Sequence, residues 1–346
     1  MRVIIRRANL QEDRLRLIAF FHEFLTPNSD ERRFDWLYQQ CPHGVASAWM
    51  AINQEDSQLV GAAAAFPRRI NSAGKEIQGY VLGDFCIHPR FRSLGPAVQL
   101  QRACLEEIAA KSGAICFDFP SDSMVAIYRR LGATPQERLL RLAKPLRANR
   151  VIASKIKSRR VAGGLATVAN LALNSRDAFR GSNRAEQISR HEGPLGEEFS
   201  KLAEEACHED EICVAQTAAY LNWRYRAHPF AKFEILTARR AGQLLGCLIY
   251  AKEGDDARIV GLLSASGSDL TRNLVLQCVK FLREQGVMTI HAAILASHSY
   301  VRLFRSLGFL SRESCPVVIY PSSGGQSEGN NGKLRQWFLM DGDRDS

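Results

Sequence analysis

No Cys-x-x-Cys pair occurs among the nine cysteines of this chain, and nine is an odd number. That argues against a disulfide framework and against a structural zinc site, and it points to a reducing compartment. Each cysteine then reads as a small buried hydrophobe. No stretch reaches the ~18 uncharged apolar residues expected of a membrane span. Arg2, Arg6 and Arg7 flank only a short strand-like run, so no signal-peptide pattern is present and a cytoplasmic protein is expected. No short-period repeat suggests a solenoid. What remains is a chain of 346 residues with an apolar fraction of 46%. That fits a soluble globular protein too long for one compact core, and two domains are expected.

Acidic residues are scarce in one place. Between Arg141 and Arg190 there are twelve Lys or Arg but only Asp177 and Glu186 against them. This segment carries the whole net charge of +10, and the rest of the protein is balanced. The high pI therefore describes a connector, and a nucleic-acid-binding surface over the whole molecule is not expected.

Residues 2–8 read as a strand. Asn9 can cap a helix whose Leu15, Ile18, Ala19 and Phe20 recur at helical spacing. A second helix holds Phe34, Trp36, Leu37 and Tyr38 and stops at Cys41-Pro42-His43-Gly44. Strand-like runs follow at 48–53 and 58–66, and a further pair surrounds Asn71-Ser72-Ala73-Gly74. A helix then covers 96–110, a short buried strand 114–119, a helix from Asp122 or Ser123 to Leu131, and a strand 138–143. Gly132 closes that helix. The order is that of an α/β or α+β domain.

Residues 144–185 form a connector with a basic front half and an uncharged window at 161–175. Helical spacing puts Val161, Leu165, Val168, Leu171 and Leu173 near one face. The segment reads as an inter-domain helix. Its alternative is an amphipathic helix on an anionic membrane surface or a partner, through residues 150–180.

From residue 186 the plan repeats. Strands are expected at 186–191, 233–238, 244–251, 257–265 and 287–294, with helices at 195–207, 270–285 and 297–307. Met124-Val-Ala-Ile-Tyr-Arg-Arg-Leu-Gly-Ala133 aligns without a gap on Tyr300-Val-Arg-Leu-Phe-Arg-Ser-Leu-Gly-Phe309. Trp36 and His43 recur as Trp223 and His228 at matched helix ends. This is a duplicated domain. Residues 321–333 read as a flexible loop, Trp337 to Met340 as an edge strand, and Asp341 to Ser346 as a disordered acidic end.

The stretch Asp84-Phe-Cys-Ile-His-Pro-Arg-Phe-Arg-Ser-Leu-Gly-Pro-Ala97 organises the first half. An apolar strand runs through a Pro-marked turn into a helix that begins near Gly95. Such a junction aims unpaired N–H groups and the positive helix end at one place, which suits a phosphate.

Ile87-x-Pro89-x-x-Arg92-x-x-Gly95-x-Ala97 resembles the coenzyme A loop of the GNAT acetyltransferase superfamily. Tyr128-Arg-Arg-Leu-Gly132 resembles that family's Tyr-bearing helix at its usual place downstream. The second half shares the order of elements but departs at both points. Ser264-Ala-Ser-Gly267-Ser-Asp269 has no Arg at the needed spacing, and Phe304 stands where the hydroxyl would be.

The resemblance implies an α/β (α+β) chain of two GNAT-like domains, residues 1–145 and 186–346, each a mixed central sheet flanked by helices. A basic helical linker at 146–185 would join them, the first half active and the second degenerate. It implies an acyl-CoA, acetyl-CoA first among them, as co-substrate and no metal. Pantetheine would lie beside Cys86 and Ile87, and the pyrophosphate on Arg92, Ser93, Leu94, Gly95, Pro96 and Ala97. Pro96 departs from the family's pattern because it offers no N–H. Tyr128 is the expected acid for the leaving thiolate and Asp84 the expected base for the amine, directly or through a water. His88 is the lesser candidate for the base, expected to face solvent from the turn beside Pro89. The acceptor would be a small primary amine, an amino sugar among the options. Alternatives are an aminoacyl-tRNA-dependent transferase of the cell-wall bridge type and a non-enzymatic scaffold or membrane-surface protein.

Overall fold

The computed structural model describes residues 2–72, 74–111, 113–149, 152, 159–178, 186–208, 210–265, 267–320 and 336–344. The expected loop at 321–333 and most of residues 150–158 lie outside these.

The first half opens with β1 (Val3–Arg7) and α1 (Arg14–Phe24). α2 (Glu31–Phe34) follows and widens into a π-type turn over Asp35–Gln39. β2 (Ser47–Asn53), β3 (Leu59–Ser72) and β4 (Lys75–Ile87) form an antiparallel meander. α3 (Leu94–Ala109), β5 (Ile115–Asp118), α4 (Asp122–Arg130) and β6 (Glu137–Pro145) complete the half. A connector helix, α5 (Arg159–Ala178), leads into the second half. There β7 (Gln187–His191), α6 (Glu197–Ala206), β8 (Glu211–Val214) and α7 (Ala218–Leu221) precede a second π-type turn at Asn222–Arg226. Next come β9 (Phe233–Arg240), β10 (Gln243–Glu253), β11 (Asp256–Ser264), α8 (Gly267–Glu284), β12 (Thr289–Leu295), α9 (Tyr300–Ser306), β13 (Leu310–Tyr320) and β14 (Gln336–Phe338). The doubled order expected from the sequence is present. β8 and β13 were not expected.

The sheet does not break between the halves. Its order is β1-β2-β3-β4-β5-β13-β6-β12-β11-β10-β9-β7. β6, the last strand of the first half, pairs with β12 of the second from Leu139↔Leu295 to Pro145↔Thr289. β13, which follows α9 as β6 follows α4, pairs with β5 of the first half at Val318↔Asp118. Each half has lent the other its closing strand, and β6 and β13 pair with each other at the seam. The expected division at 145/186 therefore cuts after a strand that sits in the other half's sheet. Local pattern carries no signal for this, because β6 and β13 offer similar ladders to either neighbour.

The cores follow the same plan. α3 and α4 cover one face of the first sheet through Leu100, Cys104, Ile127 and Tyr128. α8 and α9 cover the corresponding face of the second through Leu274, Val279, Leu303 and Phe304. The opposite face is shared in part, since α6 covers the outer strands of the second half through Phe199, Leu202, Cys247 and Ile249. One cluster joins Phe34, Tyr38 and Phe66 of the first half to Ile212, Tyr220, Trp223 and Leu295 of the second. A side chain in that cluster loses its partners if either half opens.

Two further expectations change. Residues 341–343 form a 3-10 turn in which Asp341, Gly342 and Asp343 are buried, where disorder was expected. Arg224 donates to the carbonyls of Gly342 and Arg344 (3.0 and 2.9 Å), and Arg258 pairs with Asp341 at 2.8 Å. Cys207 and Cys213 are joined in a disulfide, so two cysteines are not simple apolar fillers. The connector helix α5 is pinned at its C-terminal end, where buried Asp177 accepts from Lys144 and Arg283 at 2.7 and 2.6 Å. Three residues of its expected apolar face are not packed: Leu165, Val168 and Leu171 are 47%, 67% and 66% exposed. Among the described residues no helix is long and apolar enough to cross a membrane.

Candidate active site

β4 is the strand that shapes the site. Ala62 pairs with Cys86 and Ala64 with Gly83, so Asp84 and Phe85 together face the single residue Ala63. This is a bulge, and Asp84 takes a left-handed backbone conformation there (φ 45°). A bulge bends its strand and raises the local twist. Beside it, β4 and β5 pair in parallel only from Gly79↔Ile115 to Val81↔Phe117. Beyond Val81 the two strands part. The fork opens between the Leu82–Ile87 edge of β4 and the end of β5 at Asp118. Cys86 and Ile87 are buried beside it, and burial raises the Cys86 thiol well above its ordinary range.

At the mouth of the fork, His88 starts a short 3-10 turn at Pro89–Phe91, and its Nδ1 accepts from the N–H of Arg90. His88 does not face solvent freely, because its ring packs 4.7 Å from that of Phe24. Arg92 Nε donates to the carbonyl of Ile87 at 3.3 Å, folding the loop back on the strand. Ser93 is extended (φ −131°, ψ 160°), and its side chain makes no capping bond to α3. The first N–H groups of a helix have no acceptor within it, so those of Leu94 and Gly95 are available. Pro96 has none and is buried. Gly95 is exposed, and a Cβ there would meet nothing within 4 Å. The residues fit a diphosphate: an uncapped 16-residue helix, an open glycine ledge, and Arg90 and Arg92 alongside.

Tyr128 reaches the fork from α4. It is fully buried. Its hydroxyl donates to Asp118 Oδ2 at 2.6 Å and accepts from Gln101 Nε2 of α3 at 3.0 Å. Burial first, and the Asp118 carboxylate second, push its pKa well above the ordinary tyrosine value. The phenol therefore keeps its proton at neutral pH. Phe304 fills the matched position in the second half, fully buried and without a polar tip. Gln101 and Asp118 were not picked out from the sequence. A signal existed for Gln101: it lies one turn beyond Ala97 and next to Leu100 and Cys104 on the buried stripe of α3, where an amide needs a partner.

Asp84 is placed differently from expectation. It is 4% exposed. Its two oxygens accept from Arg33 Nη1 and Nη2 at 2.8 and 2.7 Å, and Tyr38 Oη adds a third bond at 2.7 Å. Burial and this carboxylate push the Tyr38 phenol well up. A carboxylate held by a bidentate guanidinium cannot take a proton from an incoming amine without breaking that pair. Asp84 instead ties α2 and its π-type turn to the bulge, and so holds the fork open. Arg33 and Tyr38 lie 51 and 46 residues away in sequence, and nothing local to either announces the partner.

On the shared face near the end of β5, a cavity of about 480 Å³ is lined by Arg141, Arg258, Arg344, Asp256, Glu313 and His291, among others. The Arg344 guanidinium lies 5.4 Å over the ring of Phe119, the residue after Asp118. Burial lowers the His291 pKa. Among the described residues no cluster of three or more His, Cys, Asp or Glu could hold a metal ion.

Residues 12–135 match the family model described as an acetyltransferase (GNAT) domain. Solved structures share the fold over both halves. A conserved protein of Enterococcus faecalis V583 described as a probable N-acyltransferase is 13% identical, with a TM-score of 0.65. A GCN5-related N-acetyltransferase of Anabaena variabilis is 13% identical, with a TM-score of 0.64. In each case 92% of this chain and 72% of the other are covered. A fungal multi-domain β-N-acetylglucosaminidase with a glucosamine N-acetyltransferase region gives 11% identity and a TM-score of 0.57, over 92% of this chain and 38% of that one. No curated protein matches the chain.

Proposed function

With an acetyltransferase domain of the GNAT type in residues 12–135 as the premise, we propose that the chain transfers an acyl group directly from acetyl-CoA to a primary amine, with the first half as the catalytic one. One observation carries this reading: the fork between β4 and β5 joins the uncapped start of α3 at one end to the Tyr128 hydroxyl at the other.

The co-substrate supplies an activated acyl thioester. This chain's residues bind and orient it. The N–H groups of Leu94 and Gly95, with Arg92, hold the diphosphate. The unpaired edge of β4 at Leu82–Ile87 offers backbone groups to the amides of the pantetheine arm. Tyr128 holds a proton at the fork. For that proton to reach a leaving thiolate, the O–H bond must turn from Asp118 toward sulfur, a rotation about one bond with no movement of the ring. Asp118 and Gln101 fix the phenol so that only this rotation is left to it. General-acid help of this kind contributes about 10²–10⁴-fold.

The acceptor enters from the shared face. The cavity beside Phe119 carries carboxylates and guanidiniums together. Carboxylates hold an ammonium group and pass its proton to solvent before attack, the proton the nitrogen sheds after attack restores the Tyr128 phenol, and arginines hold hydroxyls or an acid group on the same molecule. An amino sugar or an amino acid derivative has both. Glucosamine heads the panel because the fungal neighbour's transferase region acts on it.

The test is thiol release from acetyl-CoA over a panel of amino sugars, their nucleotide forms and simple amines, with Tyr128→Phe in parallel. Turnover with one acceptor class, cut about 10²-fold or more in Tyr128→Phe, supports the reading. Absence of acetyl-CoA binding by calorimetry in the intact protein overturns it.

A further inference from the structure

The second half has lost the loop motif, yet the space at the start of α8 has not closed. A cavity of about 410 Å³ lies there. Arg272, one turn into α8, and Arg302 on α9 bring two guanidiniums to it, and Ser264, Ser268 and Ser299 bring hydroxyls. Arg272 has Ser306 Oγ at 3.5 Å as its neighbour rather than a carboxylate. No Asp or Glu is among the described residues that line the space. α8 is an 18-residue helix, long enough for its N-terminal N–H groups and dipole to favour an anion.

A second observation points to a ligand. Ser264, the last residue of β11, is 3% exposed and lines this cavity. Its hydroxyl makes no hydrogen bond. A buried hydroxyl without a partner is unfavourable by about 1–3 kcal/mol, and native structures keep few of them unless something else completes them.

The space also stops short. Past Ser264 it continues only as a crevice of about 20 Å³, little more than room for a water. Phe338 of β14 fills that region, 4.5 Å from the ring of His298 and 5.6 Å from that of Tyr300. His298 is in turn bonded to Glu211 at 3.0 Å. A long acyl-thioester arm has nowhere to go.

We propose that the second half binds a short phosphate-bearing molecule at the start of α8, through Arg272, Arg302, Ser268 and the Ser264 hydroxyl. The site is separate from the acyl-CoA site proposed for the first half and does not depend on it.

The experiment is calorimetry on the full chain carrying Gly95→Glu, which closes the first-half ledge. Inorganic phosphate, pyrophosphate and acetyl-CoA are titrated in turn. The expected result is saturable binding of pyrophosphate or phosphate, weakened at least tenfold by Arg302→Glu and by Arg272→Gln, with no binding of acetyl-CoA. Ser264→Ala is a second check: it should weaken binding without lowering the melting temperature, since its hydroxyl has no partner to lose. Three outcomes overturn the proposal. These are no saturable heat from either anion, binding indifferent to both arginine variants, and acetyl-CoA binding in the Gly95→Glu protein that Arg302→Glu removes.

Discussion

Trp36 and Trp223 exchange hydrogen bonds across the junction of the two halves. Nε1 of Trp36 donates to the carbonyl of Trp223 at 2.9 Å, and Nε1 of Trp223 donates to the carbonyl of Trp36 at 2.8 Å. The rings stack at 4.9 Å and 18°. The two residues occupy matched places in matched π-type turns, so the contact is a local two-fold within one chain. Trp223→Phe keeps a ring but orphans the Trp36 carbonyl, and should destabilise by about 1–3 kcal/mol. Trp223→Ala should cost about 3–5 kcal/mol. Chemical denaturation followed by fluorescence and circular dichroism checks both. The two probes should report one transition, because the shared core cannot open on one side alone.

Tyr128→Phe separates chemistry from binding. The variant should lower kcat by about 10²-fold or more with little change in KM for acetyl-CoA. It removes one hydrogen bond each from Gln101 and Asp118, so its melting temperature should also drop, by the equivalent of about 1–3 kcal/mol. Steady-state kinetics at a temperature well below the melt keeps the two effects apart. An unchanged kcat would remove Tyr128 from the mechanism.

Arg33→Ala leaves the Asp84 carboxylate buried beside Tyr38 without its counter-ion. Breaking a buried pair in this way costs about 3–5 kcal/mol. The double variant Arg33→Met with Asp84→Asn should recover much of the loss, because no lone charge remains and asparagine tolerates the left-handed backbone at this position. If Arg33→Ala is harmless to stability, Asp84 is not the anchor described above.

Acid should weaken the fold through the junction. His43 stacks on Tyr220 at 4.4 Å and His228 packs on Trp36 at 4.5 Å. Burial first, and nearby arginines second, lower their pKa values to about 3 and about 4. In the folded protein both stay neutral at pH 5, while in the unfolded chain they take up protons below 6.5. Stability from this source is therefore full above pH 6.5 and is lost as the pH falls toward 4. At pH 5 the loss is about 2 kcal/mol for His43, and about 1 for the more exposed His228 after allowance for solvent screening. Asp343 works the other way. Its pKa is raised by burial to about 6, so it destabilises the fold above pH 6 and less below. Comparing His43→Gln with wild type between pH 7 and 5 isolates the histidine slope, which should flatten.

Gly342→Ala tests the docked tail. A Cβ at this position would lie 2.2 Å from the Tyr225 hydroxyl and 2.5 Å from the Val260 carbonyl. The tail should detach and expose Arg224. Faster cleavage after residue 340 in limited proteolysis is the expected result.

Much of this was legible in the sequence. The doubled order of elements follows from periodicity and from the aligned Tyr128 and Phe304 segments. The junction from β4 into α3 is local, so its residues announced it. Asp84 was legible as a strand carboxylate but not as a buried one, because its partner Arg33 comes from a distant turn. Cys207 and Cys213 gave no warning either. Their pairing depends on where β8 lies, and β8 joins the edge of β3 in the other half. The lending of β6 and β13 depends on which neighbour wins a contest between similar ladders, and that is settled only by the packed whole.

That exchange of closing strands reaches into biosynthesis. β5, which carries Asp118, borders β13, and β13 leaves the ribosome about two hundred residues later. During synthesis the first half waits with an open edge at β5 until β13 has emerged. Sequence-distant pairing of this kind slows folding. A chain without the second half would lack the strand that pairs with β5 of the first.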